Sequence, residues 1–249
     1  MARNKVGGAA DAGRTANVGR TANVGRTFTV RRRAVKVRPT FLTPTVAVVI
    51  LAAGAGERFG GAKLTSLLHG TVLAQRAIDA ACASRGVACF LIAGAHAESL
   101  LAVADPRRCA IVTNAKWREG ISSSIRAGVA TAASYDACIF MLADQPNITR
   151  EDVNALIREL ELHRTSIVAL KTGSVWGAPV AYPRRDYPAL AKLKGDLGAK
   201  SYAATQRKRL RFVRAAEPRA FDDVDTEADL LRAQRDSARP RRPHARRTS

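Results

Sequence analysis

The sequence predicts an α/β fold built on a mostly parallel sheet with helices on both faces, and three observations carry that prediction. Residues 46–53 (VAVVILAA) form an unbroken apolar run that stops at Gly54. Short, β-branched apolar runs bounded by glycine read as strands buried on both faces. Such runs then alternate with stretches of helical period: a helix over 73–84, a strand over 87–93 (VACFLIA), a helix carrying Leu100, Leu101 and Val103, and a strand at 110–113. That β-α-β-α-β order argues for a parallel, doubly covered sheet. Finally, the first run feeds at once into a loop containing Gly54, Gly56, Gly60 and Gly61 and carrying Arg58 and Lys63. A single Rossmann-like, three-layer α/β/α domain accommodates all three.

The charge map separates this domain from its ends. Residues 1–40 hold ten Lys or Arg against one Asp, and residues 232–249 hold seven Arg against one Asp; with chain totals of 41 and 21, 15 of the net +20 lies in these ends. Residues 13–30 are a six-residue repeat (GRTANV, GRTANV, GRTFTV) with no sustained helix or strand period, as expected of a disordered segment. The expected organisation is therefore a disordered basic extension at 1–44, a folded domain at 45–232 and an Arg-rich disordered tail at 233–249. A sequence pI near 11.0 would ordinarily raise nucleic-acid binding. Here the excess sits in low-complexity ends without interleaved aromatics, so nucleic acid is not the expected partner. Cys82, Cys89, Cys109 and Cys138 lie in apolar segments without C-x-x-C spacing, which suits small core residues in a reducing compartment. No apolar run approaches the ~20 residues a bilayer span needs, so the expected location is the cytoplasm.

The loop at 54–63 has the makings of a phosphate cradle, since glycine lets backbone N–H groups approach an anion closely. Spacing decides which kind. The dinucleotide fingerprint G-x-G-x-x-G fails because Phe59 stands where the third glycine belongs. The P-loop G-x-x-x-x-G-K-[ST] fails because Ala62 follows Gly61, and Leu64 follows Lys63. What fits without a gap is L-A-A-G-x-G-x-R-[MF]-G-x-x-K, from Leu51 to Lys63. This stretch resembles the signature loop of the molybdenum cofactor cytidylyltransferase family. The resemblance implies a fold of the nucleotide-diphospho-sugar transferase type and a nucleotide contact along Leu51, Ala52, Ala53, Gly54, Ala55, Gly56, Arg58 and Lys63.

Later elements extend the reading in order. Residues 64–68 and 71–72 are expected to turn. The strand at 87–93 ends at Gly94, where a ligand or another backbone could approach closely. Residues 114–128 (NAKWREGISSSIRAG) lead into a helix whose expected N-cap is Ser122, and free N–H groups at a helix start suit an anion. The same segment resembles the family's N-x-x-W-x-x-G-[IM]-[SA]-S-S-[IL]-x-x-G element, which adds Asn114, Ser122, Ser123 and Ser124 to the expected nucleotide contacts, and Gly94 joins them as the glycine that ends its strand. A strand at 137–142 ends in Asp144-Gln145-Pro146. A carboxylate at the carboxyl end of a parallel strand stands in the crevice where α/β sheets bind ligands, although Asp144 could also simply cap a turn. In the resembling family a D-Q-P aspartate binds magnesium.

Thr149 with Glu151 and Asp152 starts a helix running to about residue 163, and 166–170 reads as a strand. The polar stretch 171–175 reads as a connection, followed by Gly177-Ala178-Pro179-Val180, which resembles the family's G-x-P-V segment with Ala178 where many relatives carry histidine. Residues 193–199 (LKGDLGA) resemble an acceptor-side G-D-x-G-A element, or else a plain turn. Gly177, Pro179, Gly195, Asp196 and Gly198 are thus the expected substrate contacts. A helix at 200–210 and a strand at 211–214 precede FDDVDTEADL at 221–230, which resembles the family's closing D-[IV]-D-T-x-x-D-L. Asp223 and Asp225 share a face if extended. Asp225 is the expected second magnesium ligand, with Asp223 as an alternate or outer-sphere partner.

Taken together, these residues suit metal-dependent nucleotidyl transfer: Arg58 and Lys63 neutralise a triphosphate while Asp144 and Asp225 hold Mg²⁺. The catalytic set is Arg58, Lys63 and Asp144. The resemblance implies CTP as donor and molybdopterin as acceptor, with an apo-molybdoenzyme or its chaperone as onward partner. The Ala52-Ala53 pair stands where guanylyl-transferring relatives tend to have Gly-Gly. The alternatives are a guanylyltransferase or sugar-1-phosphate nucleotidyltransferase of the same fold, and a non-catalytic phosphate- or nucleic-acid-binding module. His69, His96 and His163 fall outside these motifs.

Overall fold

The computed structural model describes residues 43–103, 105 and 109–236. The repeat-bearing extension through residue 42 and the Arg-rich end from residue 237 lie outside these residues. Among the described residues nine strands form: β1 (Val46–Ala52), β2 (Leu67–Leu68), β3 (Thr71–Val72), β4 (Ala88–Ala93), β5 (Ala110–Thr113), β6 (Ala137–Leu142), β7 (Ile167–Thr172), β8 (Val175–Pro183) and β9 (Leu210–Arg214). The helices are α1 (Leu73–Cys82), α2 (Ala97–Val103), α3 (Ile121–Thr131), α4 (Arg150–Leu162), α5 (Tyr187–Leu190), α6 (Ala199–Thr205) and α7 (Glu227–Asp236).

Seven strands make one sheet in the order β5-β4-β1-β6-β8-β7-β9, and β2 and β3 make a separate hairpin. β1 is central and pairs parallel with both β4 and β6. Its side chains alternate between two cores: Val46, Val48 and Ile50 face one, Ala47 and Val49 the other. The first core is closed by Ala74 and Ile78 of α1 and by Leu156 and Leu160 of α4. The second is closed by Ile125 and Val129 of α3, Leu190 of α5 and Ala203 of α6. An apolar strand that must be covered twice is satisfied by a helix layer on each face.

The predicted mostly parallel α/β/α architecture therefore holds, with local corrections. β8 runs antiparallel to both β6 and β7, so the stretch 177–182 is a buried strand and 171–175 is largely hairpin. Residues 67–68 and 71–72, expected to turn, pair as β2 and β3. α6 stops at Thr205 and Gln206 caps it, so only the first half of the expected helix forms. The last helix continues past residue 232 to Asp236. Cys89, Cys109 and Cys138 are buried as expected, and the thiols of Cys89 and Cys109 hydrogen-bond at 3.0 Å. Among the described residues no helix is long and apolar enough to cross a membrane.

Gly128 shows how tightly α3 seats on the sheet. A Cβ there would lie 2.7 Å from the Phe140 ring and 2.8 Å from Val49. Glycine in mid-helix costs about 1 kcal/mol relative to alanine, and here it gives the helix its close approach to β1 and β6. That approach brings the start of α3 to the carboxyl ends of the central strands, where the loop after β1 also emerges.

Candidate active site

The loop after β1 is a closed turn. Phe59 N–H donates to the Gly56 carbonyl at 2.9 Å, and Gly61 N–H donates to the same oxygen at 3.3 Å. Gly56 adopts φ 68°, and any Cβ there would collide with the Gly61 carbonyl, so only glycine closes this turn. His96, which the sequence reading left out, braces the loop from α2's side by donating its Nε2–H to the Ala55 carbonyl at 2.8 Å.

The turn delivers Lys63 to two carboxylates. Asp144 follows β6, and Val224 N–H donates to the Asp144 carbonyl at 3.0 Å, which carries the 223–225 segment alongside. Lys63 Nζ then lies 2.7 Å from Asp144 Oδ2 and 3.0 Å from Asp225 Oδ1. Arg58 reaches Asp225 Oδ2 at 2.9 Å from a largely exposed position. Burial disfavours a charged Lys63, but the pull of Asp144 and Asp225 outweighs it and raises its pKa above the ordinary lysine value. Asp223 lies in the same neighbourhood, within reach of the Lys63 charge. Desolvation, together with the charges of Asp144 and Asp225, raises its pKa against an opposing hydrogen bond from Gln145.

Asp144 Oδ1 is buried with no hydrogen-bond partner. Buried carboxylate oxygens are nearly always satisfied, so this atom has capacity for a further ligand. Two neighbouring carboxylates, one with an unpartnered oxygen, suit a hard, oxygen-seeking divalent cation. The donor set thus fits the expected metal.

These groups line a cleft of about 630 Å³. From the expected nucleotide contacts it brings together the backbone from Leu51 to Gly56 with Arg58, Lys63 and Ser124, and it adds Asp144, Asp196 and Asp225. Trp117, Arg118, Gly120 and Ile121 also line it, with the Arg118 guanidinium 4.3 Å above the Trp117 ring. Trp117, Gly120 and Ile121 stood in the N-x-x-W-x-x-G-[IM] motif and were the available signal. A larger cavity of about 1110 Å³ is lined by Arg76, Arg219, Asp223 and Arg232, among others, but it holds neither Lys63 nor Asp144.

Several expected contacts are occupied by the fold itself. Gly94 does not line the cleft; a Cβ there would meet Ala53 at 2.6 Å and Trp117 at 2.8 Å, so packing accounts for the glycine. The cap of α3 is Gly120, not Ser122, because Ser122 N–H already donates to the Gly195 carbonyl and its hydroxyl accepts from Arg126. Asn114 is buried and donates to the hydroxyls of Ser123 and Ser124. Ser122 and Ser123 are likewise buried, and of the three serines only Ser124 lines the cleft. Gly195 backs Gly120 and Gly198 caps α6, while the intervening Asp196 lines the cleft. Gly177 and Pro179 lie outside it, on β8 where that strand runs beyond its ladder with β6.

Known proteins with this fold bear on the site. The sequence profile of the MobA-like NTP transferase domain matches residues 48–210. The chain is 29% identical over 196 residues to nicotine blue oxidoreductase of Paenarthrobacter nicotinovorans, covering 76% of this chain and 96% of that protein. The Rv0371c homologue of Mycobacterium sp. strain JC1 superposes with a TM-score of 0.69 at 25% identity, covering 78% of this chain and 98% of the other. Rv0371C of Mycobacterium tuberculosis H37Rv, solved in complex with manganese, superposes with a TM-score of 0.63 at 23% identity, covering 77% and 98%. The profile spans the loop, the Trp117–Ser124 segment, Asp144 and Asp196 and ends before Asp225, so the chain belongs to the MobA-like NTP transferase domain family and is a nucleotidyltransferase.

Proposed function

We propose that this nucleotidyltransferase transfers CMP from CTP to the terminal phosphate of molybdopterin, releasing pyrophosphate, with Mg²⁺ as its metal. The observation that carries the reading is Lys63 standing between Asp144 and Asp225 at the mouth of a glycine turn. A phosphate oxygen of the acceptor bonds to the α-phosphorus of CTP, and the bond from that phosphorus to the bridging oxygen breaks. The electron pair leaves with pyrophosphate. The acceptor oxygen is already ionised near neutral pH, so no histidine base is needed, in keeping with a cleft lined by no histidine among the described residues.

The chain's own groups divide this work. Backbone N–H groups from Gly54 to Gly56 approach the phosphates, and Arg58 and Lys63 neutralise the charge that accumulates on the leaving group. Asp144 and Asp225 would hold the divalent cation, whose charge polarises the α-phosphoryl group when bound. Ser124 and the Asn114–Ser123 network position the start of α3 beside the nucleotide. Asp196 forms the acceptor side within the cleft, held on its loop by Gly195 and Gly198. Ala52 and Ala53, in place of a Gly-Gly pair, favour cytosine over guanine.

The 45–232 segment is the catalytic unit in this reading, the cell compartment is the cytoplasm, and the product passes to a molybdoenzyme or its chaperone. A hydride-transfer reading, prompted by the name of one relative, fares worse: Phe59 breaks the dinucleotide spacing, and the cleft presents paired carboxylates to the phosphates.

Pyrophosphate release tests the proposal with each NTP, Mg²⁺, and either molybdopterin or a sugar 1-phosphate. CTP with molybdopterin should be the active pair, and Asp144→Asn should lower its turnover by roughly 10²-fold or more. Turnover with a sugar phosphate alone would move the acceptor assignment, and GTP in place of CTP would move the base. Undiminished turnover by Asp144→Asn would remove the metal assignment.

A further inference from the structure

Lys63 stands between the two carboxylates proposed above to hold the metal. Its ammonium bridges one oxygen of Asp144 and one of Asp225, at 2.7 and 3.0 Å, and its side chain is only 14% exposed. The remaining Asp225 oxygen is taken by Arg58. Two carboxylates therefore face two cations, and their joint charge is already balanced. An ammonium and a divalent ion cannot share that gap, because metal–oxygen distances of about 2.0–2.1 Å for Mg²⁺ leave no room between the same two oxygens. Mutual repulsion would separate them as well.

We propose that Lys63 is the resident counter-ion of the Asp144 and Asp225 carboxylates and must vacate them before a divalent cation binds, so that cation and nucleoside triphosphate enter as one unit. The inference rests on the metal assignment proposed above. What draws Lys63 off is the triphosphate itself, which brings about four negative charges near neutral pH to the turn that carries the lysine. Arg58, 78% exposed, has the freedom to follow. The glycines on either side of it, Gly56 at φ 68° and Gly60 at φ 82°, sit in a loop of two short 3₁₀ turns. Asp144 Oδ1, buried and unpaired, shows that Lys63 satisfies only part of the pair and holds the gap without filling it. One lysine thus serves two partners in turn: the carboxylates when the cleft is empty, the phosphates when it is filled. Free cation is held off until substrate is present.

The test is Mn²⁺ binding to the full-length protein without nucleotide, followed by electron paramagnetic resonance. It compares the unaltered protein with Lys63→Met, Lys63→Gln, Asp144→Asn and the double variant Asp144→Asn/Lys63→Met. Removing the competing ammonium should tighten Mn²⁺ binding by about tenfold or more, the scale of one charge-assisted hydrogen bond, while turnover falls. The double variant should lose that gain. Mn²⁺ should also raise the melting temperature of the Lys63 variants more than that of the unaltered protein, which gives a reading even if the variants are less stable. Equal or weaker binding in both Lys63 variants, with Asp144→Asn still abolishing it, overturns the exchange and leaves the metal site standing. Binding that ignores Asp144 in every background overturns both.

Discussion

Asp186 and Asp144 are both carboxylates held by a cation, yet the fold finishes them differently. Asp186 is 2% exposed and fully bonded. Its Oδ1 accepts from Tyr202 at 2.7 Å and from Arg209 at 2.6 Å, and its Oδ2 accepts from Arg209 at 3.2 Å. Arg209 in turn donates to Thr165 and Gln206, so both partners of the pair are bonded within the protein. The hydrogen bond to Asp186 is the main cause raising the Arg209 pKa. Asp144 shares one oxygen with Lys63 and leaves the other buried and unpartnered. A pair that ties α5 and α6 to β9 completes its bonding, whereas a pair at the mouth of a cleft keeps capacity in reserve. Incomplete bonding in a buried network is costly, and its persistence at the carboxyl end of β6 points to a ligand.

The comparison predicts opposite phenotypes for the two aspartates. Asp144→Asn should lose roughly 10²-fold or more in turnover while keeping its melting temperature within about 2 °C, since well under 1 kcal/mol is at stake in a domain of this size. The amide keeps the shape, and Lys63 retains Asp225. Asp186→Ala strands the Arg209 charge and should cost about 3–5 kcal/mol, lowering the melting temperature by roughly 6–20 °C at the conversion for domains of this length. Its turnover per folded molecule should be unchanged at low temperature. Calorimetry and the pyrophosphate assay read both on the same samples. A loss of stability in Asp144→Asn as large as in Asp186→Ala would mean that the unpartnered oxygen is incidental and the lysine bridge mainly structural.

The same contrast marks what the sequence could disclose. β1, its turn and β6 were legible because each is a local signal: an apolar run, a glycine spacing, a carboxylate at a strand end. Asp225 was legible through its motif, and the structure brings it to Lys63, whereas Asp223, expected on the same face, lines the larger cavity instead. The bonds that complete the fold were not legible, because their partners are remote in sequence. Ser122 read as a helix cap, but its N–H goes to Gly195 and its hydroxyl to Arg126. Gly94 read as a ligand approach, yet Ala53 and Trp117 fill that space. His96 offered no motif, and only folding sets it on the Ala55 carbonyl. β8 looked like a binding segment because its glycine and proline obscure a strand that is antiparallel to both neighbours. Lys63 was read as a phosphate ligand from spacing alone; its hold on both carboxylates depends on Val224 binding the Asp144 backbone.

Asp152 supplies the smallest test of the comparison, since it is a buried carboxylate finished without any cation. Its Oδ2 accepts from the Thr149 backbone N–H at 2.9 Å and from the Thr149 hydroxyl at 2.7 Å, and its Oδ1 accepts from Ala216 N–H at 2.7 Å. Thr149 returns the bond through its hydroxyl to Asp152 N–H, which completes a capping box at the start of α4. The carboxylate therefore joins the helix start to the segment after β9. Thr149→Ala removes one donor to that carboxylate and the acceptor for one helix N–H, and leaves the Ala216 bond in place. The expected loss is about 1 kcal/mol, visible as a shift of the urea midpoint at constant slope, with turnover intact. A loss several times larger would show that Asp152 depends on every one of its donors, as Asp186 does. No loss would show that N–H donors alone are enough to hold a buried carboxylate in this fold, and would leave Asp144 as the one carboxylate of the three whose bonding is decided by what enters the cleft.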